Sequence, residues 1–312
     1  MTFTRCFRKL LPLLCVIGLV DAAARGESAP PLDNFVVVIP VANMYRTPNR
    51  TSDVVSQAIY STNVVLLKRK RKWMQVRTAD RYTGWLESAS LIKRKERKGK
   101  ERTRQAKPYA EDGPVVRVAA LNANIYRDPD VTAHAPILNL PWETRLEVAS
   151  AAPSDVAQSE HRWLKILLAD GQDAYVQSGD VSKDFAPLTI EQTLTLASRF
   201  LGVTYTWGGT SAYGYDCSGF TQMLIRQRGI TMPRDADLQA AWSGVQPVDR
   251  KDLQPGDLLF FGSSPNDITH TGMYLGNGEL IHDTTNEHPG VQVSNLNDEP
   301  WTKLLVAARR VK

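Results

Sequence analysis

Cysteine is the scarcest chemistry in this chain. Of 312 residues only Cys6, Cys15 and Cys217 carry a thiol, and the first two fall in a stretch that reads as an export signal. Arg5, Arg8 and Lys9 form a basic n-region, Leu10 to Val20 an apolar run, and Ala22-Ala23-Ala24 a small-residue cleavage site. Removal of residues 1–24 would leave Cys217 alone. A single cysteine forms no internal disulfide, so the usual purpose of cysteine outside the cytosol is excluded. A reactive thiol or a buried small hydrophobe remains. The chain also lacks an apolar run approaching the ~20 residues that a membrane-spanning helix needs. Cys15 sits inside the apolar run rather than after it, where lipid attachment would require it. The expected product is an exported soluble protein with no stable membrane span, in the periplasm, the cell wall or the extracellular space. Histidine is sparse too. The five histidines have no closed-site partners at ligand spacing, so neither a metal nor another cofactor is expected.

What is present begins with an internal repeat. Asn43-Met44-Tyr45-Arg46-Thr47-Pro48 matches Asn124-Ile125-Tyr126-Arg127-Asp128-Pro129, and Trp73-Met74-Gln75-Val76 matches Trp163-Leu164-Lys165-Ile166. The offset grows between the two matches, which places an insertion in the second copy, at Ala151 to Glu160. Short alternating runs separated by turn residues predict small all-β units. The Tyr-Arg-x-Pro turn, central Trp and closing Gly84-Trp85-Leu86 resemble bacterial SH3-like (SH3b) domains. The resemblance implies two small SH3-like barrels, at residues 34–92 and 115–182. Residues 93–114 between them carry many charges and few apolar groups, and read as a charged, solvated linker.

The composition changes from Leu188. Thr189 and Gln192 form a capping box, and Ile190, Leu194, Ala197 and Leu201 lie at helical spacing. A second helix is predicted from Cys217 to about Arg228, with Gly229 as its stop. Strand-like segments follow at Asp257 to Phe261, Thr271 to Leu275, Glu279 to His282, Gln292 to Ser294 and Leu304 to Val311. Helices first and strands afterwards predict an α+β domain with an antiparallel sheet over residues 188–312.

A helix start suits a nucleophilic cysteine. Free N–H groups and the helix dipole favour the thiolate, and the Cys217 N–H would face a developing oxyanion. A base is needed as well. His134 and His161 fall in or near variable loops of the repeats, whereas His270 and His282 flank a hairpin that turns at Gly276-Asn277-Gly278. A plain two-residue turn would pair Gly276 with Glu279 and put the two histidines on opposite faces. An odd-numbered loop, or a bulge of the same effect, puts them on one face as diagonal neighbours roughly 7–8 Å apart. The odd-numbered arrangement is the expectation.

Tyr205-Thr206-Trp207-Gly208-Gly209, Asp216-Cys217-Ser218-Gly219-Phe220, Pro233-Arg234-Asp235, Pro255-Gly256-Asp257-Leu258, His270-Thr271-Gly272-Met273-Tyr274 and His282 follow in that order. The set resembles the NlpC/P60 family of papain-like cysteine peptidases, which cut peptides of bacterial peptidoglycan. The resemblance implies Cys217 as nucleophile, His270 as general base and His282 as the residue that orients it. It implies Tyr205 as an oxyanion donor, and Asp216 and Ser218 as contacts to the substrate's amino end. Asp216 reads equally as the helix N-cap. Arg234 reads either as a partner for a substrate carboxylate or as a solvated turn arginine.

Two SH3-like domains ahead of such a domain resemble the γ-D-glutamyl-L-diamino acid endopeptidases that trim muropeptides. In these, the first SH3-like domain walls one end of the cleft, and an acidic residue there often binds a free amine. The corresponding stretch here, Tyr60-Ser61-Thr62-Asn63, has no acid; Glu87 is a substitute. The implied partners are peptidoglycan stem peptides or muropeptides. The basic tracts Lys68 to Lys72 and Lys93 to Lys107 read either as contacts to anionic wall polymer or as a solvated strand edge and a linker. Nucleic acid is not an expected partner, since export removes it and the linker has no stacking aromatics. Two other functions compete: wall binding without catalysis, and acyl transfer or amidase action on another amide.

Overall fold

The computed structural model describes residues 34–94, 107–149 and 162–312. The expectations for residues 1–24, for the middle of the linker, for Ala151 to Glu160 and for His161 lie outside the described residues. No described helix is long and apolar enough to cross a membrane.

Each repeat folds into a seven-stranded sheet, and the two sheets have the same strand order: third, second, sixth, fifth, fourth, first, seventh. Strand alternation turns Ala42, Met44, Met74, Val76 and Leu86 into the first core, and Ala123, Ile125, Ile166, Ala174 and Val176 into the second. The repeated motifs meet in space. Tyr45 lies edge-on to Trp73 with ring centroids 5.4 Å apart, and Tyr126 lies edge-on to Trp163 at 5.3 Å.

The basic tract from Lys68 to Lys72 is the exposed tip of a hairpin, in which Lys68 to Lys70 pair on one side only among the described residues, so the expected solvated strand edge is there. Lys70 pairs with Trp73, so Arg71-Lys72 makes the turn, and Arg71 has φ 53°. The end of the linker, by contrast, is not solvated. Tyr109 and Ala110 are buried, wedged between the two barrels. Tyr109 packs edge-on to Tyr60 at 6.2 Å. Its hydroxyl donates to the Leu167 carbonyl at 2.6 Å, and its N–H donates to Asn63 Oδ1 at 2.9 Å. One aromatic that satisfies its polar end can stay buried despite a charged neighbourhood.

The C-terminal domain carries a six-stranded antiparallel sheet. Its strand order is Val245–Pro247, Leu305–Val311, Leu258–Ser264, Asp267–Gly276, Glu279–Thr284, Gly290–Asn295. The helix Ile190–Ser198 starts at the Thr189–Gln192 capping box. Its buried face is Thr193, Leu196 and Ala197, continued by Phe200, whereas Leu201 is 50% exposed. The helix ends at Ser198, so the helical spacing that would have turned Leu201 inward no longer applies. The helix Cys217–Gln227 packs on the sheet and is buried on nearly every side. Gly229, with φ 76°, follows its end. Phe200, Tyr215 and Phe220 form an edge-to-face aromatic cluster here. Trp142, from the second repeat, joins it at 5.7 Å from Phe200.

Candidate active site

The turn from Thr206 to Gly209 and the first turn of the Cys217–Gln227 helix are pressed together. A Cβ on Gly219 would lie 2.1 Å from the Gly209 carbonyl oxygen, so only glycine permits this approach. Asp216 caps the helix. Its Oδ1 accepts from the Gly219 N–H at 2.7 Å, and its Oδ2 accepts from the Gly208 N–H at 3.0 Å.

Arg234 completes this corner, and neither sequence reading of it holds. It is 2% exposed. Its guanidinium donates to both Asp216 oxygens, at 2.9 and 2.6 Å, and to Ser218 Oγ at 2.7 Å. A buried carboxylate needs a paired charge, and Asp216 takes Arg234 for that purpose. Asp216, Ser218 and Arg234 therefore bind one another and hold the peptide on either side of Cys217.

Cys217 is 8% exposed. The N–H groups of Thr271 and Ser218 reach its sulfur, and they favour the thiolate together with the Arg234 charge. Burial, followed by the nearby Asp216 charge, outweighs them and pushes the thiol up to about 12. The helix start alone does not ionise this cysteine.

His270 lies on the strand Asp267–Gly276 and His282 on Glu279–Thr284. Asn277-Gly278 makes a two-residue turn that pairs Gly276 with Glu279. A bulge between Tyr274 and Gly276 then restores the expected face, since Tyr274 pairs with Leu280 and Met273 with Ile281. The rings meet, with His270 Nε2 2.8 Å from His282 Nδ1. Trp301 packs on both, 5.2 Å from the His270 ring and 4.5 Å from the His282 ring, and Phe261 lies 5.6 Å from His270. This apolar cage buries His270 and pushes its imidazole down to about 4, against the opposing pull of the Asp216 charge. His282 is held well below its ordinary value by burial and then by His270. At neutral pH the geometry therefore holds a thiol and two neutral imidazoles. Trp301 was not legible in the sequence, because only the folded sheet brings it to the histidines.

Tyr205 is half-buried. Burial, then the Cys217 and Asp216 charges, raises its hydroxyl above the ordinary range, so it stays a proton donor beside Cys217.

Asp283, next to His282, is fully buried. Neither carboxyl oxygen makes a full hydrogen bond among the described residues. Burial, with the Asp216 charge second, raises it to about 8, and the Tyr215 and Thr284 N–H groups offset only part of this. A carboxyl raised on folding binds more protons folded than unfolded between its two pKa values. It therefore lowers stability progressively as pH climbs from ~4 toward 8. Asp283→Asn is expected to raise Tm by several degrees at pH 8 and by little at pH 5. A Tm difference independent of pH would contradict this account.

The first repeat touches this corner directly. The Thr210 N–H donates to Gln57 Oε1 at 3.1 Å. The Tyr82 hydroxyl lies 3.1 and 3.2 Å from the two carboxylate oxygens of Asp235. Gly208, at φ 75°, packs so closely that a Cβ would lie 2.6 Å from the Val54 carbonyl oxygen. Of Tyr60 to Asn63, Asn63 holds Tyr109 and Ser61 Oγ accepts from the Arg145 N–H at 3.1 Å, while Ser61, Thr62 and Asn63 also line a cavity shared with Thr210 and Gln222. Glu87 is taken by Arg50, at 2.9 and 2.5 Å, and by Lys72 at 3.4 Å. Two acids stand at the junction between the first repeat and the C-terminal domain: Asp235, beside the Tyr82 hydroxyl, and Asp80, whose Oδ2 accepts from Gln222 Nε2 at 3.0 Å. Among the described residues no group of three or more His, Cys, Asp or Glu is arranged to hold a metal.

Residues 202–310 match the NlpC/P60 family, and residues 44–91 match the bacterial dipeptidyl-peptidase Sh3 domain. The chain is 29% identical over 270 residues to a gamma-D-glutamyl-L-lysine dipeptidyl-peptidase of Bacillus cereus, covering 82% of this chain and 74% of that protein. It is 31% identical over 170 residues to the enzyme of the same name from Bacillus subtilis, covering 54% and 56%. A crystal structure of an NlpC/P60 family protein from Bacillus cereus superposes with a TM-score of 0.72 at 24% identity, over 89% of this chain and 99% of that one. That likeness establishes the shared fold.

Proposed function

We propose that this chain, an NlpC/P60 cysteine peptidase with a bacterial SH3 domain ahead of it, hydrolyses the γ-D-Glu–diamino acid amide of peptidoglycan stem peptides. The observation that carries the reading is the one thiol among the described residues, at a capped helix start and laid against a strand whose His270 is hydrogen-bonded to His282.

The Cys217 sulfur attacks the amide carbonyl as its proton passes to His270. Concerted transfer suits a site in which both partners start neutral. The oxyanion forms near the Cys217 N–H and the Tyr205 hydroxyl. Collapse breaks the C–N bond, and His270 returns its proton to the leaving amine of the diamino acid. Water, deprotonated by His270, then cleaves the thioester and regenerates the thiol. His282 accepts from His270 and holds the ring throughout.

The packing of the first repeat supports a cleft closed at one end, which suits released stem peptides or muropeptides with a free N-terminal L-Ala. Asp235 is half-buried, and it adjoins the Arg234 that holds both flanks of Cys217. It offers the carboxylate that such an amine needs. The site of action is outside the cytoplasm, where the substrate is. The exposed Lys68 to Lys72 hairpin is a solvated surface in this reading and not a polymer-binding element.

A synthetic L-Ala-γ-D-Glu-L-Lys peptide is expected to yield L-Ala-D-Glu and lysine by mass analysis. N-acetylation of the peptide is expected to lower kcat/KM by roughly 100-fold, since it leaves a partly buried carboxylate unpaired. Absence of cleavage, or products of transfer, would overturn the reaction. Equal rates on both peptides would overturn the closed end alone.

A further inference from the structure

The two histidines form a chain of hydrogen bonds that does not stop at His282. His282 Nε2 lies 3.0 Å from Ser294 Oγ. His282 is completely buried, so this second nitrogen has no solvent to turn to. Strand register accounts for the contact. Leu280 pairs with Ser294 and His282 with Gln292, so Ser294 is the diagonal neighbour of His282 on the same face. Gln292, directly opposite, is committed elsewhere. Its Nε2 donates to the Asn286 and His288 carbonyls, each at 2.9 Å.

The proton arithmetic of this chain decides whether His270 can work. His270 Nε2 faces His282, which leaves Nδ1 as the ring nitrogen that can take the thiol proton. That requires the resting His270 proton to sit on Nε2 and to be donated to His282 Nδ1. His282 must then carry its own proton on Nε2, where it needs an acceptor. Reversing every proton gives the other arrangement: His282 Nδ1–H donates to His270 Nε2, and His270 is protonated at Nδ1 and useless as a base. Which nitrogen of an imidazole is protonated is set by what the other nitrogen binds. A buried His282 with no acceptor at Nε2 would leave an N–H unsatisfied, and the reversed arrangement would relieve it.

We propose that Ser294 is a positioning residue of the catalytic machinery: its hydroxyl oxygen supplies the acceptor that a buried His282 Nε2–H needs, and so gives the histidine pair access to the tautomers that leave His270 Nδ1 free. The inference rests on the peptidase reading above and extends it by one residue. The same acceptor supports the pair when His270 becomes an imidazolium, because His270 must then remain the donor to His282. Ser294 transfers no proton itself and touches no substrate.

Threonine and valine have nearly the same shape, so they separate the oxygen from the packing. Ser294→Val and Ser294→Ala are expected to lower kcat by roughly 10-fold or more, as loss of a partner that orients a functional histidine does, with KM little changed. Ser294→Thr is expected to retain most of kcat. Imidazole 15N shifts should place the His282 proton on Nε2 in wild type and Thr, and show a substantial Nδ1–H population in Val and Ala. Full activity of the Val variant, failure of Thr to exceed Val, or unchanged tautomers in Val would each overturn the proposal. Cys217→Ala, assayed alongside, tells the two readings apart. If it is active the peptidase mechanism fails, whereas if it is inactive and Val is fully active only the role of Ser294 fails.

Discussion

Cys217→Ala and His270→Ala are each expected to lower kcat on the γ-glutamyl peptide by about 10³-fold or more, and the double variant is expected to be no worse than the weaker single. Groups that act as one unit are lost together: without the thiol there is no proton for His270 to take, and without His270 the thiol stays protonated. The non-additivity should be especially clear here because burial holds Cys217 up at about 12. A pre-formed thiolate would survive loss of its base far better. The same burial holds His270 at about 4, so it remains a competent base well below the ordinary histidine value. The acid limb of kcat/KM should accordingly fall far below pH 6.5. Rates of single and double variants, with pH profiles, measure this. Multiplicative losses would show that the two residues do not form a working pair.

Arg234→Met is expected to cost about 3–5 kcal/mol of stability, the usual result of removing one partner from a buried ion pair. For a protein of this size that is on the order of 10 °C in Tm. The change leaves Asp216 buried without its cation, and Asp216 is the residue that caps the Cys217–Gln227 helix and ties down the Gly208 N–H. Activity should fall with stability, since the helix start and the turn beside it lose a common anchor. Arg234→Lys restores a charge but not the two-pronged contact to Asp216, and should recover only part of the loss. Urea or thermal unfolding of the three proteins decides the matter. A Met variant as stable as wild type would show that Asp216 needs no counter-charge.

How far the sequence speaks depends on the range of the interaction concerned. The helix starts at Thr189 and Asp216 were legible because capping is local, made within three residues. The repeat was legible because its Tyr and Trp motifs recur, and the fold brings each pair into edge-on contact. The shared face of His270 and His282 required a bulge, and the odd-numbered pairing that predicts it follows from needing both residues on one side. Arg234 was misread because its partners lie sixteen and eighteen residues away, beyond any local pattern. Trp301 and Ser294 were missed for the same reason, since a strand neighbour such as Ser294, or a short helix such as Trp301–Leu304 packed on the sheet, meets the histidines only once the sheet is formed. The linker misled through its average composition, in which the single Tyr109 is outvoted by lysines. The core face of the first helix was legible at Leu194 and Ala197, and failed at Leu201 because its pattern was carried past the end of the helix.

Trp142 sits in the chain among the strands of the second repeat, yet its indole lies in the aromatic cluster beneath the Cys217–Gln227 helix. A fragment beginning at the catalytic domain would open that cluster to water along the side of Phe200 that Trp142 now covers. Loss of a buried tryptophan of this kind typically costs about 3–5 kcal/mol. The modules of this protein are therefore not beads on a string that could be exchanged one at a time. Any rearrangement that supplied the peptidase domain with a different neighbour would also have to supply something to fill that space.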